Sequence, residues 1–302
     1  MTSKIILGTR GSDLALWQAR YVQAELAGLS IETELKIITT KGDRIQDLSF
    51  DKIEGKGFFT KEIEDALLAG EIDLAVHSMK DLPTTQPLGL RLAAVSYREN
   101  PADWLLIRKE SYVEGQPLRL GSGAVVGTSS ARRKAQVLDL RPDLQLKDLR
   151  GNVPTRVQKL RQGQYDAILL AAAGLSRLEL DLSDLVVVEL SPKEFIPAPA
   201  QGVLALQIRE EDQPLLKALQ RFHEKSVAQC SNVERKVLHL MEGGCHMPLG
   251  VYCEEDIAGN YRVWAAVAPT WDSPLRRCFL ASPTTVGLAE MVLQQLKSPL
   301  EA

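Results

Sequence analysis

Arginine recurs where this chain is expected to leave a strand or enter a helix. Arg10 and Ser12 stand at the start of one expected helix, and Thr128, Ser129, Ser130, Arg132 and Arg133 at the start of another. Arg150 and Arg156 approach a third, and Arg177 follows a further strand. A helix start presents free N–H groups and the positive end of its dipole, a setting that favours anions. Guanidinium forks match carboxylate or phosphate. A single arginine is ordinarily a solvated surface residue. Six at element ends, in two similar halves, point instead to a polyanionic ligand. Neither GxxxxGKS/T nor GxGxxG follows a strand, so a nucleotide is not indicated.

Asp81, in "AVHSMKDLP", has the type and place of a general acid or of a counter-charge for a developing cation. Lys80 beside it would keep the carboxylate ionised or bind ligand anions. A Lys-Asp pair before proline is also a common turn, and it is the strand-end position that favours chemistry here. His77 is expected to pack or to orient its neighbours. Cys245 lies in "MEGGCHMPLG", where two glycines free the backbone before it and Pro248 stiffens the backbone after it. The residues alone leave open a metal ligand, a nucleophile, half a disulfide or some less usual role. Cys230, Cys253 and Cys278 share the last third of the chain with it and form no CxxC, which disfavours disulfides in a reducing compartment and structural zinc.

The elements that must position these groups repeat. "KIILGTRGSDLALWQARYVQAELAG" is a short apolar strand, Gly8-Thr9, a polar turn and a helix with Leu14, Trp17, Tyr21 and Val22 on one side. "GAVVGTSSARRKAQVLDLRPD" repeats the plan with Gly127-Thr128 and a helix carrying Ala131, Ala135 and Leu138. Each half then has a helix, a glycine, two residues, an aspartate and a strand: Gly70 and Asp73 in the first, Gly163 and Asp166 in the second. The first half is longer, and its extra residues include "KGDRIQDLSFDKIEGKG" (41–57), either an exposed loop or a lid. Alternating strand and helix predicts α/β domains with largely parallel sheets, two halves facing a cleft, and ligands at the carboxyl ends of strands. "YRENPAD" (97–103) and the proline-rich "SPKEFIPAPAQG" (191–202) read as joints. Beyond them come a helical region near 213–240, strands in "PLGVYC", "YRVWAAVA" and "LRRCFLA", and a last helix over 284–297 with Val286, Met291 and Leu293, together a small α+β domain. The predicted domains are 1–97 with about 198–215, 101–193, and 219–302.

With 302 residues, 45% hydrophobic and 25% charged, the chain has the balance of a globular protein of two or three domains. A net charge of −3 gives no overall basic footprint for nucleic acid. No run reaches the ~20 apolar residues of a membrane helix, and "MTSKIILGTR" lacks the pattern of a signal peptide. A cytoplasmic protein is expected.

In order along the chain, "TRGSDLALWQA", "HSMKDLP", "GTSSARR", "LRGNVPTR", "AAAGLSRL", "PAPAQG" and "EGGCHMPLG" resemble the motifs of the porphobilinogen deaminase (hydroxymethylbilane synthase) family, across nearly the whole length. The resemblance implies two periplasmic-binding-protein-like domains around a cleft and a small third domain. It implies a transferase that links four porphobilinogen molecules head to tail with loss of ammonia and releases hydroxymethylbilane for tetrapyrrole biosynthesis. It also implies a dipyrromethane cofactor held as a thioether by Cys245. Asp81 matches the catalytic aspartate, assisting ammonia loss and stabilising positive charge on azafulvene and pyrrole nitrogens. Ser78, Lys80, Thr128, Ser130, Arg132, Arg133 and Arg150 match cofactor contacts. Arg10, Ser12, Gln18, Lys56, Phe59, Arg150, Arg156 and Arg177 match substrate contacts; no metal is implied. A monomer that hands its product to the next pathway enzyme completes the expectation. Ala131 stands where the family has leucine, His246 where the family varies, and Gln207 where an acidic residue is common, which puts in doubt a role for charge at 207. Two other classes compete: an anion-binding solute or effector module, which needs the arginines but neither Asp81 nor Cys245, and a zinc-stabilised regulator using the cysteine-bearing tail.

Overall fold

The computed structural model describes residues 4–40, 60–242 and 247–298. The 41–57 segment, Lys56, Phe59 and Cys245 lie outside the described residues. The described residues form two compact units: one from those up to Glu99 with Gly202–Gln229, the other from Asn100–Gln201 with those from Cys230 onward. Both changes of unit near residues 99 and 201 fall in the joints read from the sequence.

The first unit holds a five-stranded sheet. Strand β1 (Ile5–Thr9) pairs in parallel with β2 (Thr33–Ile37) and β3 (Leu74–Ser78). Strand β4 (Leu90–Arg98) forms the far edge, and β10 (Val203–Arg209) runs antiparallel between β3 and β4. Helix α1 (Asp13–Gly28) is capped by the Ser12 hydroxyl, which accepts from the Ala15 amide. Helix α2 spans Lys61–Leu68.

The second unit repeats the plan with β5 (Asp103–Arg108), β6 (Val125–Gly127), β7 (Gln145–Lys147), β8 (Ala167–Ala171) and β9 (Leu185–Leu190), in the order β7-β6-β8-β5-β9. Here β6 is parallel to β7 and β8, and β5 is the antiparallel insert. Both sheets are largely parallel, as expected, and each admits one antiparallel strand that arrives from a joint instead of through a strand-helix-strand crossover. Helices α3 (Ala131–Leu140), α4 (Val153–Arg161) and α5 (Ala172–Leu178) complete this α/β part.

The expected helical region near 213–240 consists of two helices, α6 (Gln213–Leu219) and α7 (Lys225–Leu240), separated where Phe222 turns into the core of the first unit. Strands β11 (Leu249–Glu255), β12 (Tyr261–Val267) and β13 (Arg276–Ser282) form an antiparallel meander, followed by α8 (Leu288–Lys297). Val233, Val237, Val251, Val263, Leu288 and Val292 build their α+β core, together with Cys230, Cys253 and Cys278. Burial pushes the Cys278 thiol up to about 11, so it packs as a small apolar group. Val286 precedes α8 and is exposed, contrary to the expected helix face.

The repeated glycine and aspartate of each half have one physical reason. Asp73 donates its amide to the Ile6 carbonyl at 2.8 Å, and its carboxylate accepts the Ile6 amide at 3.0 Å. Asp166 does the same to Val125, at 2.9 and 2.8 Å. Gly70 and Gly163 turn the chain into these clamps with φ of 71° and 75°. Gly8 and Gly127 lie where a Cβ would strike Ile72 and Tyr165, the residues just before the two aspartates.

A buried charge cluster organises the second unit. Asp103 is fully buried and accepts from Arg132 Nη1 at 2.7 Å, from Arg133 Nη2 at 2.7 Å and from Gln201 Nε2 at 2.9 Å. Burial alone would push its carboxyl up, but the two guanidiniums outweigh that and hold it well below the usual carboxylate range. Arg132 and Arg133 are 5% and 7% exposed and also donate to the Ile196 and Leu169 carbonyls. The sequence assigned both arginines to ligand anions; their anion in this structure is Asp103, and their backbone partners are in the 196–201 joint and β8.

Both the glycine packing and the charge cluster can be tested. Gly127→Ala should cost about 1–3 kcal/mol, because the Tyr165 ring it meets is pinned by a 2.6 Å bond from its hydroxyl to the Asp148 carbonyl; denaturant unfolding of both proteins measures it, and an unchanged midpoint would refute the packing argument. Asp103→Ala leaves two buried guanidiniums without their carboxylate and should cost about 3–5 kcal/mol, read in the same way.

Candidate functional site

Parallel pairing brings the first unit's candidates to one sheet edge. β1 ends at Thr9 and β3 at Ser78, with Leu7 opposite Leu74 and Gly8 opposite Ala75. Arg10 and Ser12 therefore lie at the same carboxyl edge as Ser78, Lys80 and Asp81. Gln18, buried on α1, closes the gap: its side chain lies 2.9 Å from Ser78 Oγ. The most buried residues of α1 are Gln18, Ala19, Val22 and Leu26. Val22 of the expected face is among them, and Tyr21 is partly buried against the same core and stacked on Trp17 at 5.6 Å. The polar Gln18 on this buried side reaches the strand end.

Met79–Asp81 forms a single 3-10 turn immediately after β3. Met79 is the buried anchor of the turn, which leaves Lys80 half-buried and the Asp81 carboxylate exposed. Asp81 makes no hydrogen bond or ion pair with the described residues. An exposed, uncommitted carboxylate beside a lysine is suited to meet an incoming cation.

The second unit gathers its candidates in the same manner. β6, β7 and β8 are parallel, so Thr128, Ser129 and Ser130 after β6, Arg150 after β7, and α5 with Arg177 after β8 share one edge. Ser129 Oγ bonds both the carbonyl and the amide of Leu149 at 3.0 Å, tying the start of α3 to the loop that carries Arg150. Thr128 is buried, and its hydroxyl accepts from the Ser130 amide. Ser130 sits at the N-cap of α3 with no side-chain cap bond of its own. Arg156 donates to the Gly151 carbonyl at 2.7 Å and Lys159 to the Arg150 carbonyl at 3.0 Å, which folds the 149–152 loop back on α4. Arg177 is buried within α5. Thus Thr128, Ser130, Arg150, Arg156 and Arg177 assemble at one edge, while Arg132 and Arg133 turn inward to Asp103.

Several supporting residues escape a reading of the sequence: Asp103, Gln201, Gln136, which bonds the Ile196 amide and carbonyl at 2.6 and 2.9 Å, and Glu234, whose buried carboxylate accepts the Ala200 and Cys253 amides at 2.6 and 2.7 Å. Two adjacent arginines on one helix turn are a signal that a buried acid should be sought, and "PAD" in the first joint supplies it.

The family model "Porphobilinogen deaminase, dipyromethane cofactor binding domain" matches residues 5–217. Porphobilinogen deaminase of Oceanobacillus iheyensis is 43% identical over 299 residues, covering 97% of this chain and 94% of that protein. That of Halalkalibacterium halodurans is 41% identical over 295 residues, covering 97% and 93%. Among solved structures, an arginine-specific periplasmic binding protein of Salmonella typhimurium aligns with a TM-score of 0.44 at 13% identity, covering 75% of this chain and 94% of that one. The ordered motifs, the two α/β halves and the two deaminase relatives agree: the chain belongs to the porphobilinogen deaminase family.

Proposed function

We propose that Asp81 is the carboxylate that drives the chemistry of this chain, and that Cys245 holds the dipyrromethane cofactor of the family as a thioether. The reaction itself comes with family membership: porphobilinogen units are joined head to tail with loss of ammonia, and the product is hydroxymethylbilane, the open-chain tetrapyrrole. The observation that carries the assignment of Asp81 is its place, exposed on a turn beside Lys80 at the carboxyl edge of the first sheet, the edge that Arg10 also follows.

Each unit by itself offers groups that suit carboxylates: Arg10, Ser12 and Ser78 at the sheet edge of the first, and Arg150, Arg156 and Arg177 with the Thr128 and Ser130 hydroxyls at the sheet edge of the second. When bound, the cofactor supplies the pyrrole carbon to which the first porphobilinogen is joined. The chain's own residues do the rest. Arginines hold acetate and propionate groups of the substrate and orient its aminomethyl carbon. Lys80, next to Asp81 in the chain, adds a further cation for those carboxylates. The Asp81 carboxylate then opposes the positive charge that grows on the substrate pyrrole nitrogen as ammonia leaves. Gln18 holds Ser78 in place beneath that turn. Lys56 and Phe59 as substrate contacts, Arg132 and Arg133 as cofactor contacts, a monomeric state, a cytoplasmic location and hand-off of product to the next pathway enzyme belong to the same reading. No helix among the described residues is long and apolar enough to cross a membrane.

Asp81→Ala should fold, since the side chain is exposed, and should lose about 100-fold or more in turnover; steady-state assay with porphobilinogen reads this, and near-normal turnover would remove Asp81 from its role. Intact mass tests the cysteine. After incubation with porphobilinogen the protein should exceed its polypeptide mass by one dipyrromethane, and Cys245→Ala should not. A bare polypeptide mass for the unsubstituted protein would overturn the attachment.

A further inference from the structure

Behind the Met79–Asp81 turn runs a chain of buried polar side chains that the proposed chemistry does not use. His77 is buried on β3, and its Nε2 lies 3.0 Å from Gln207 Oε1. Gln207 is fully buried on β10 and donates from Nε2 to Gln86 Oε1 at 2.8 Å and to Glu64 Oε1 at 3.1 Å. Gln86 donates from its own Nε2 to the Pro83 carbonyl at 3.2 Å. Glu64, on α2, accepts from Thr60 Oγ1 at 3.4 Å.

The direction of every bond in this chain can be deduced from one end. The Pro83 carbonyl only accepts, so Gln86 must face it with its amide nitrogen. Gln86 then presents oxygen to Gln207, which must answer with its own nitrogen. That leaves the Gln207 oxygen facing His77, and a histidine opposite an acceptor must carry its proton on Nε2. Burial lowers the imidazole to about 4, more than the Gln207 bond raises it, so the ring is neutral near pH 7. Glu64 is the acidic side chain on this chain of hydrogen bonds; Lys80 and Asp81 stand beyond it on the turn.

The geometry has a consequence for the catalytic edge. Ala205 is opposite His77 and Gln207 opposite Ala75, so the His77 and Gln207 side chains share one face of the sheet. His77 lies two residues before the turn and Pro83 two residues after it. One amide therefore grips both flanks of the segment that carries Lys80 and Asp81. We propose that Gln207 is a positioning residue for Asp81, holding the Met79–Asp81 turn through a neutral, Nε2-protonated His77 on one side and Gln86 on the other. Its uncharged amide is what allows it to donate to Gln86 and accept from His77 at once, where a carboxylate would only accept. This inference rests on the reading of Asp81 as the catalytic carboxylate.

The test uses the cofactor-loaded enzyme. Gln207→Leu removes both bonds and should lower kcat between about 10- and 100-fold, with KM for porphobilinogen within about two-fold, since the substrate-binding arginines are untouched. Gln207→Glu keeps the shape but donates only when protonated, so its kcat relative to the parent should be highest near pH 6 and fall as the pH rises. The unsubstituted protein, labelled with 15N-histidine, should show His77 as a neutral Nε2–H ring from pH 6 to 8. A proton on Nδ1, or an imidazolium at pH 6, overturns the deduction even if Gln207→Leu fails to fold. Unchanged kcat in Gln207→Leu overturns the positioning role. If Asp81→Ala keeps its turnover, the reading of Asp81 fails instead; an inactive Asp81→Ala beside a normal Gln207→Leu removes this inference alone.

Discussion

Each α/β half hangs on an aspartate that grips the start of its first strand at two points. Asp73 binds the amide and carbonyl of Ile6, and Asp166 those of Val125. The side chain fixes what a parallel ladder leaves weakly determined, which residue of one strand stands beside which residue of the next. A slip of one residue would turn every side chain of the strand to the other face. With the register held, Gly8 stands beside Ala75 and Gly127 beside Ile168, so β1 and β6 run out a little before their partners β3 and β8 at the same edge. The candidate residues follow the strand ends, so the carboxylate clamps decide that Arg10 reaches the edge that carries Ser78, and Thr128 the edge that leads into α5. Asp73 has a second partner, Arg209 on β10 at 2.8 Å, which ties the antiparallel insert into the same register.

The arginines divide by what they face. Arg132 and Arg133 converge on a fully buried carboxylate, where desolvation is large and only close, multiple hydrogen bonds can offset it. Their guanidiniums also hold carbonyls of β8 and of the 196–201 joint, so their charge is used in assembling the unit. Two guanidiniums against one carboxylate leave that cluster with one positive charge in excess, close to the edge where Arg150 and Arg177 are gathered. The cluster thus adds a fixed positive field to the anion edge without itself being open to solvent. An anion arriving there meets cations already desolvated and oriented, which is the condition under which electrostatic binding is strongest.

Local pattern makes much of this readable. The glycine-aspartate repeat, the strand ends, the three strands of the meander and the motif order all lie within short windows. Where pattern fails, the cause is contact between residues distant in sequence. Periodicity leaves Gln18 off the buried side of α1 because this polar residue is drawn inward by Ser78, 60 residues away. It does not divide the 213–240 helical region because the break depends on Phe222 entering a core made by β1, β3 and β10. The Asp103 partner of Arg132 and Arg133 is missed because it lies 29 and 30 residues before them, in a joint. The one antiparallel strand in each largely parallel sheet is missed because hydrophobic runs carry no direction. Gln207 stands out as an unusual residue, but its meaning needs His77, 130 positions earlier.

The two inserted strands connect these misses. β10 begins beside the end of β3, with Leu204 opposite Ser78, and β5 begins beside the end of β8, with Asp103 opposite Ala171. In both units a strand of opposite direction therefore enters the sheet at the edge where the functional residues are collected. Each insert carries a buried polar group: Asp103, at that edge, bracing Arg132 and Arg133, and Gln207, farther along β10 opposite Ala75, bracing His77 and the Asp81 turn. A parallel strand ends at this edge and can offer it only a loop. An antiparallel neighbour is still within the ladder there, with its backbone fixed on both sides, and can offer a side chain of fixed direction. Rigid support for a site built on loops is thus supplied by the strands whose direction the sequence pattern does not disclose.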